Sequence, residues 1–479
     1  MEGTFDGSRL ELTERHRFLN QPVMLPDGFH WDILRIFHEI REGILKASHA
    51  ESGKMKASLG VDTWGVDYGW VDRKGALIGN PYHYRDTRTI GSLDALAKVF
   101  EPGQIYLETG IQQLELNTLN QLLAETQTHP EILQDDRKLL FIPDLLNYFL
   151  TGIMRREYTI SSTSSFCKVG SAEPSALIFD KLGFKKEWLS PSIEPGTELG
   201  TVRREIGEES GSEISVCAVA SHDTASAVMA VPFDDGHEGD VYISSGTWSL
   251  IGTELKESIV SDASRTFNLT NEGGFGRTVR FLRNVMGLWI LQESRRQWQR
   301  EGKDYSFSEL SELCSTAKPL ASFIDPDDPS FAAPGNMPER IRVYCQKTGQ
   351  KAPEDAASTV RCIIDSLALK YRETIEKIAD VTGKKPSKIQ VVGGGVQDRL
   401  LCQATADACG LPVVAGPVEA TACGNILAQL LTFKEIASLE EARQVVRNSF
   451  DPAYYSPGAN REQYQEAYDR FQKVTGKNI

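Results

Sequence analysis

The sequence predicts an α/β protein built from two domains. Three observations point there. Short apolar runs that read as strands alternate with stretches of helical spacing. The chain has 479 residues, more than one compact core normally holds. A polar, turn-rich run, PFDDGHEGD (232–240), interrupts the pattern near its middle and reads as a connection between domains. The domains are accordingly placed at 1–235 and 236–479.

In order along the chain, 9–18 reads as a strand, and 29–47 as a helix with Phe29, Ile33, Ile36, Phe37, Ile40 and Ile44 on one face. Segment 56–72 reads as a strand, a turn and a second strand. Helices are predicted over 113–125 and 143–151, the second with Pro143 in its first turn and Gly152 at its end. A buried strand over 214–220 leads through Ser221 and His222 into a small-residue helix that starts at Asp223. The second half opens with strands 241–244 and 248–252 around Ser245-Gly246-Thr247. Helices follow over about 285–300 and over 357–380, where Ile363, Leu367, Ile375 and Ile378 give the apolar spacing. Strand 388–392, three glycines, helix 397–409 and strand 411–415 complete the pattern, with no internal repeat.

Composition narrows the function. Hydrophobic residues at 40% and charged residues at 25% are ordinary for a soluble protein. A net charge of -14 argues against a nucleic-acid or anionic-membrane surface. It leaves a bound nucleotide open, because local amides and metal ions hold phosphates. No apolar run is long enough to span a bilayer, and the opening MEGTFD lacks signal-peptide layout. The eight cysteines form no Cys-x-x-Cys pair and read as reduced thiols of a cytoplasmic protein. The eight histidines show no metal-ligand spacing, so no metal site is read.

Five stretches carry candidate chemistry. In SHDTASAV (221–228) a strand delivers Asp223 to the start of a helix. An ionised Asp there can accept a hydroxyl proton, although on this segment alone a helix cap is the commoner role. In ISSGTWSL (243–250) the turn at Gly246 and Thr247 presents N–H groups and a hydroxyl to a phosphate, or is a plain hairpin turn. VVGGGVQDRLL (391–401) is a strand, a triple glycine and a helix. It suits a phosphate loop but lacks both the Walker A lysine and the dinucleotide fingerprint. In GVDTWGVDYG (60–69), Asp62 and Asp67 flank an aromatic residue and a glycine, as suits a polyol, or are two solvated acids in a strand connection. Last come NEGG (271–274) and RNVMGLWILQES (283–294). Asn284 and Gln292 are read about two turns apart on one helix and able to face one cleft, although surface amides are commoner.

The order and company of these motifs say more than any one of them. GVDTWGVD, YRDTRT (84–89), PDLLNYFLTG (143–152), SHDTASAV, SSGTWSL, NEGG, NVMGLW, GGGVQ and AGPVEATACGN (415–425) together resemble the FGGY carbohydrate kinase family, at its L-rhamnulose-phosphorylating branch. The resemblance runs from about Leu10 to Asn425. It implies an actin-like, ribonuclease H-like ATPase fold in two domains with a substrate cleft between them. It implies transfer of the ATP γ-phosphoryl to O1 of L-rhamnulose with Mg²⁺, in a monomer or weak homo-oligomer. By motif match, Asp223 is the implied proton acceptor. Gly65, His222, Thr224 and Asn284 join it as sugar-binding residues, and Thr247, Gln292 and Gly394 are the implied ATP contacts. Tyr68-Gly69-Trp70 departs from the more aliphatic strand of the family, which implies a sugar pocket that differs in detail. The family can also carry a bridge matching Cys345 and Cys362, whereas free thiols are expected in a cytoplasmic protein.

The family pattern opens with a strand and loop of the form D-L-G-A-S-S-G-R, whereas this chain opens at Met1-Glu2-Gly3-Thr4. By that comparison about 20 residues are missing, and with them the first strand of the N-terminal domain. The expected consequences are two neighbouring strands with unpaired backbone groups, and loss of an Asp near Mg²⁺ and of amides for the γ-phosphate. A chain extended upstream is expected to be active, and the sequence as it stands to have little activity. The competing readings are a kinase of L-fuculose or another ketose, a non-catalytic sugar- or nucleotide-binding protein, and a dinucleotide enzyme resting on the triple glycine.

Overall fold

The structure, a computed structural model, describes residues 1–50, 57–234, 239–459 and 461–476. The chain divides into two compact units, each assembled from separated stretches. The first comprises Met1–Pro232, Leu255–Phe281 and Ala420–Ser449; the second comprises Phe233–Glu254, Leu282–Glu419 and Phe450–Ile479. The chain thus leaves the first unit close to the expected 235/236 boundary, but returns to it twice. Of the expected connection 232–240, residues 235–238 lie outside the described residues.

In the first unit, strand Ile214–Ala218 lies between Thr197–Thr201, antiparallel to it, and Ala57–Gly60, parallel to it. Among the described residues, 57–60 has a bonded strand on this one side only. Glu2–Phe5 and Leu10–Thr13 form a separate antiparallel hairpin, so the strand expected over 9–18 is shorter. Segment 56–72 does hold two strands, but they belong to different sheets, and Lys56 lies outside the described residues. Strand Tyr68–Val71 pairs with Lys138–Phe141. Its four residues are all buried, which fits a strand covered on both faces rather than a hairpin arm.

Helix Ile33–Ala50 starts later than expected, because Gly28–His30 is drawn into a short hairpin with Val23–Leu25. Helix Thr118–Thr128 takes the place of the expected 113–125. Helix Ile142–Thr151 has Pro143 in its first turn and ends at Gly152, whose φ of 78° only glycine adopts freely. Ile33, Val71, Leu140, Leu145 and Val216 form one apolar core, and Trp70, Phe141, Phe166, Phe179 and Trp188 another. Tyr68 and Trp70 face inward, where Tyr68 Oη (2.5 Å) and Trp70 Nε1 (2.8 Å) donate to the Glu125 carboxylate.

In the second unit, strand order runs Val279–Met286, Trp248–Leu255, Val241–Ser245, Ile389–Val392, Val413–Ala415 and Ala453–Tyr455. The first of these begins in the last residues of unit one. Strands 241–245, 389–392 and 413–415 are mutually parallel, and 248–255 folds back on 241–245 through the predicted turn. Helices Ala356–Thr382 and Arg399–Cys409 pack on each other, close to their expected positions. The single helix read over 285–300 is wrong at its start. Residues 279–286 are a strand, and the helix is Trp289–Arg300. Gly287 ends the strand; a Cβ there would stand 2.7 Å from the Trp248 carbonyl carbon, too close for any side chain. Cys345 and Cys362 are neighbouring, buried free thiols. No helix among the described residues is long and apolar enough to cross a membrane.

Candidate active site

The parallel strands 57–60 and 214–218 run in register as far as Gly60 opposite Cys217. Beyond their ends the two chains stay tied: Thr63 N donates to Ser221 O (2.9 Å) and Asp223 N donates to Thr63 O (2.8 Å). The carboxyl ends of adjacent parallel strands are where α/β folds gather ligand-binding residues. Here they carry Asp62 and Gly65 on one chain and His222, Asp223 and Thr224 on the other. Buried Glu157 holds the second chain from behind, its Oε2 accepting from Ser221 N (3.2 Å), while Thr159 Oγ1 accepts from His222 N (3.3 Å).

Asp223 is the first residue of the short helix Asp223–Met229, not its cap; His222 occupies the cap position. Asp223 Oδ1 accepts from Thr224 N (2.5 Å) and Thr224 Oγ1 (3.1 Å). Burial pushes the Asp223 carboxyl up to about 6, with the Thr224 bonds and the Arg280 charge pulling down. Its side chain is still 43% exposed, so solvent tempers the push and a substrate can reach it.

His222 Nδ1 accepts from Arg280 Nη2 (3.0 Å), which leaves the Nε2 hydrogen toward Asp223 Oδ1 at 3.4 Å. Burial, with the Arg280 charge, holds His222 well below its ordinary range, so the ring is neutral. Arg280 is fully buried and forms an ion pair with buried Glu272 (3.1 Å). Gly65 lies against this group: a Cβ on it would stand 3.2 Å from His222 Nε2 and 3.3 Å from Thr163 Oγ1.

Asp67 is no solvated acid. It is buried and accepts from Trp31 Nε1 (2.6 Å), Trp64 Nε1 (2.9 Å) and Gln121 Nε2 (2.8 Å). Trp31 stacks between Trp64 and His83, with ring centroids 4.1 Å apart on each side, and burial holds His83 down to about 3. Asp67 thus braces an aromatic wall beside Gly65.

In the second unit, Thr247 Oγ1 donates to Gln292 Oε1 (3.3 Å), so the turn and the start of helix 289–300 are brought together. Thr247 O accepts from Gly287 N (3.2 Å) and Trp289 N (3.1 Å), which fixes the turn. The triple glycine follows strand 389–392, parallel to the strand that carries Ser245. Gly393 has φ 87°, and a Cβ on Gly395 would stand 2.0 Å from Ser245 Oγ. By contrast a Cβ on Gly394 would meet nothing within 4 Å, which leaves room for a ligand there. Asn284 stands on strand 279–286, not on the helix that carries Gln292, so the shared helical face expected for the pair does not exist. Asp327 grips the strand on both sides of Asn284, accepting from Arg283 Nη2 (2.8 Å) and Met286 N (3.2 Å).

Three residues of the first unit escaped the sequence reading. Arg280 lies inside the apolar strand VRFLRNVM, and a charge in such a run is itself the signal of a buried ion pair. Glu272 sits in the NEGG motif without an assigned role. Asn425, in the last quoted motif, donates to Asp62 from far along the chain.

The family profiles define the class of protein as a carbohydrate kinase. The profile of "FGGY family of carbohydrate kinases, N-terminal domain" matches residues 11–230, and that of "FGGY family of carbohydrate kinases, C-terminal domain" matches 241–433. The chain belongs to the FGGY family of carbohydrate kinases. It is 39% identical to a rhamnulokinase of Bacteroides thetaiotaomicron, covering 95% of this chain and 92% of that protein. It is 41% identical to a rhamnulokinase of an Enterobacter species, covering 95% and 90%. Among solved structures, a ligand-bound xylulose kinase from Lactobacillus acidophilus superposes with TM-score 0.77 at 16% identity, covering 95% of this chain and 91% of that one. Plasmodium falciparum glycerol kinase with ADP gives 0.76 at 14%, covering 96% and 92%. The fold is that of the actin-like sugar kinases.

Proposed function

We propose that this protein phosphorylates L-rhamnulose at O1 with ATP, giving L-rhamnulose 1-phosphate and ADP. The observation that carries the reading is Asp223: a carboxylate fixed by Thr224, backed by a neutral His222, and open to a substrate on one side. The relatives that supply the sugar are named rhamnulokinases.

In this reading Asp223 accepts the O1 proton as O1 attacks the γ-phosphorus and the bond to ADP breaks. The accepted proton then leaves to solvent by the exposed side of the carboxylate. The neutral His222 ring points its Nε2 hydrogen toward Asp223 without adding a charge, and Arg280 fixes its tautomer. Gly65, Thr224 and Asn284 are assigned to the sugar. Thr247, Gln292 and Gly394 are assigned to ATP, where hydroxyl, amide and open backbone suit phosphates better than side-chain bulk.

The divalent metal of such kinases, here taken as Mg²⁺, supplies charge neutralisation on the phosphates. Among the described residues no group of three or more His, Cys, Asp or Glu is gathered to hold a metal ion. The eight cysteines are free, which suits the reducing cytoplasm.

The test is ADP release measured against a panel of ketoses that includes L-rhamnulose and L-fuculose. L-rhamnulose is expected to give the highest kcat/KM, and Asp223→Asn to remove its turnover. A higher value for another ketose would reassign the sugar, and ketose binding without ADP release, even from a chain extended upstream, would rule out the kinase reading.

A further inference from the structure

The proposed reaction leaves Asp62 without a role, yet an amide from a distant helix holds its carboxylate. Asp62 and Asp223 leave the ends of neighbouring parallel strands, on either side of the two bonds that Thr63 makes with Ser221 and Asp223. Asn425 Nδ2 donates to Asp62 Oδ2 (2.5 Å) and to Gly60 O (3.1 Å). The Asn425 amide is itself oriented, because its Oδ1 accepts from Gln429 Nε2 (2.7 Å). Gln429 Oε1 in turn accepts from Ser58 Oγ (2.6 Å). Every donor and acceptor in the run Ser58, Gln429, Asn425, Asp62 is thereby fixed in direction.

The helix that brings this run in, Ala420–Thr432, packs directly on the helix that Asp223 begins. Gly424 permits the approach: a Cβ there would stand 1.7 Å from Ser226 O. Thr421 Oγ1 donates to the backbone carbonyl of Asp223 (3.3 Å). One helix therefore touches both acids, one through its side chain and the other through its backbone.

A tie between this helix and the strand end needs no charge, since an amide or a hydroxyl would serve. Placing a second carboxylate near the first is unfavourable unless the charge has a use. We propose that Asp62 is a positioning residue for proton transfer: Asn425 pins its carboxylate beside Asp223, and the two acids work as a pair. The proposal rests on the reading of Asp223 as the proton acceptor.

Asp62 is pushed up to about 7, by burial first and by the Asp223 charge, with the Asn425 bond opposing. Both acids are thus raised, and such a pair releases its protons in coupled steps. The other charged or titratable groups facing Asp223 are His222 before its own helix, Glu272 on strand 270–273 and Arg280 on strand 279–286. Helix 420–432 presents Thr421 and Asn425, which carry no charge.

The test compares the purified chain with Asp62→Asn and Asp223→Asn by two measurements. The first is the pH profile of L-rhamnulose-dependent ADP release. Asp62→Asn is expected to remove the upper of the two coupled steps in the acid limb, with the plateau kcat kept within about threefold. The second needs no turnover: titration of ¹³C-labelled aspartate carboxyls by NMR, assigned with the two variants. In Asp223→Asn the Asp62 carboxyl is expected to titrate lower than in the parent. A limb unchanged in shape and an unmoved Asp62 titration would reduce Asp62 to a structural tie and overturn the proposal. A plateau lost at every pH would also overturn it, since Asp62 would then touch the substrate itself. Full activity in Asp223→Asn would instead refute the reading beneath it.

Discussion

The two units assemble their candidate residues from opposite materials. The first gathers charge: Asp223, Glu272 and Arg280 stand around a neutral His222, and Asp62 follows the neighbouring parallel strand. The second has none at the corresponding residues, offering the Thr247 hydroxyl, the Gln292 amide and the bare backbone of Gly394. In the proposed reaction the difference follows from what each has to handle. Removing a proton from a sugar hydroxyl needs a group that titrates near working pH. Holding a phosphate, already charged on arrival, needs fixed dipoles that cost little to bury. Substitutions should accordingly act on turnover at Asp223 and on nucleotide affinity at Thr247, Gln292 and Gly394.

The largest expected effect is that of Asp223→Asn. It should lower kcat by about 10²–10⁴-fold while leaving the melting temperature and sugar affinity close to the parent's. A coupled ADP assay with a thermal melt checks this, and a comparable kcat loss in Thr247→Val would erase the contrast between the units. Next is Arg280→Met, which strips Glu272 of its buried ion-pair partner and His222 of its donor. It should cost about 3–5 kcal/mol in urea unfolding.

The second unit offers a paired test in adjacent glycines. Gly395→Ala puts a methyl against Ser245 and should destabilise by about 1–3 kcal/mol. Gly394→Ala fits without contact, so it should leave stability unchanged while raising KM for ATP, with kcat near the parent's.

The smallest effect concerns pH and stability. The raised carboxyls of Asp62 and Asp223 keep protons in the folded chain that the unfolded chain has already released. Their contribution is therefore most favourable below about 4 and declines as pH rises through about 6 to 7. Asp62→Asn should gain melting temperature relative to the parent between those limits, and a constant difference across them would contradict the raised values.

How far the sequence could be read depended on whether a signal was local. The turn at Gly246-Thr247 and the strand that ends at Gly393 were legible because turn chemistry and apolar runs lie within a few residues. The split of 56–72 between two sheets was not, because strands 57–60 and 68–71 find partners at 214–218 and 138–141, which nothing nearby predicts. The helix placed over Asn284 failed for a different reason. Apolar spacing continues past Gly287, and only the backbone of Trp248 and Ser249 pressed against that glycine makes it a boundary. Asp67 was open to two readings, a polyol-facing acid or a solvated one, because its donors Trp31 and Gln121 come from distant segments. Asp223 was singled out through its companion motifs, whereas the Arg280–Glu272 pair behind it needed the fold.

The bond from Asn425 to Asp62 spans 363 positions. A growing polypeptide emerges from the ribosome with its early residues first and begins to fold before the rest is made. Strands 57–60 and 214–218 and the acids that follow them can therefore be in place long before residue 425 exists. A chain interrupted in between would carry Asp223 and His222 but not the amide that fixes Asp62. Assembly of the proton-accepting pair is thus among the last acts of synthesis, and an unfinished chain would hold that pair only in part.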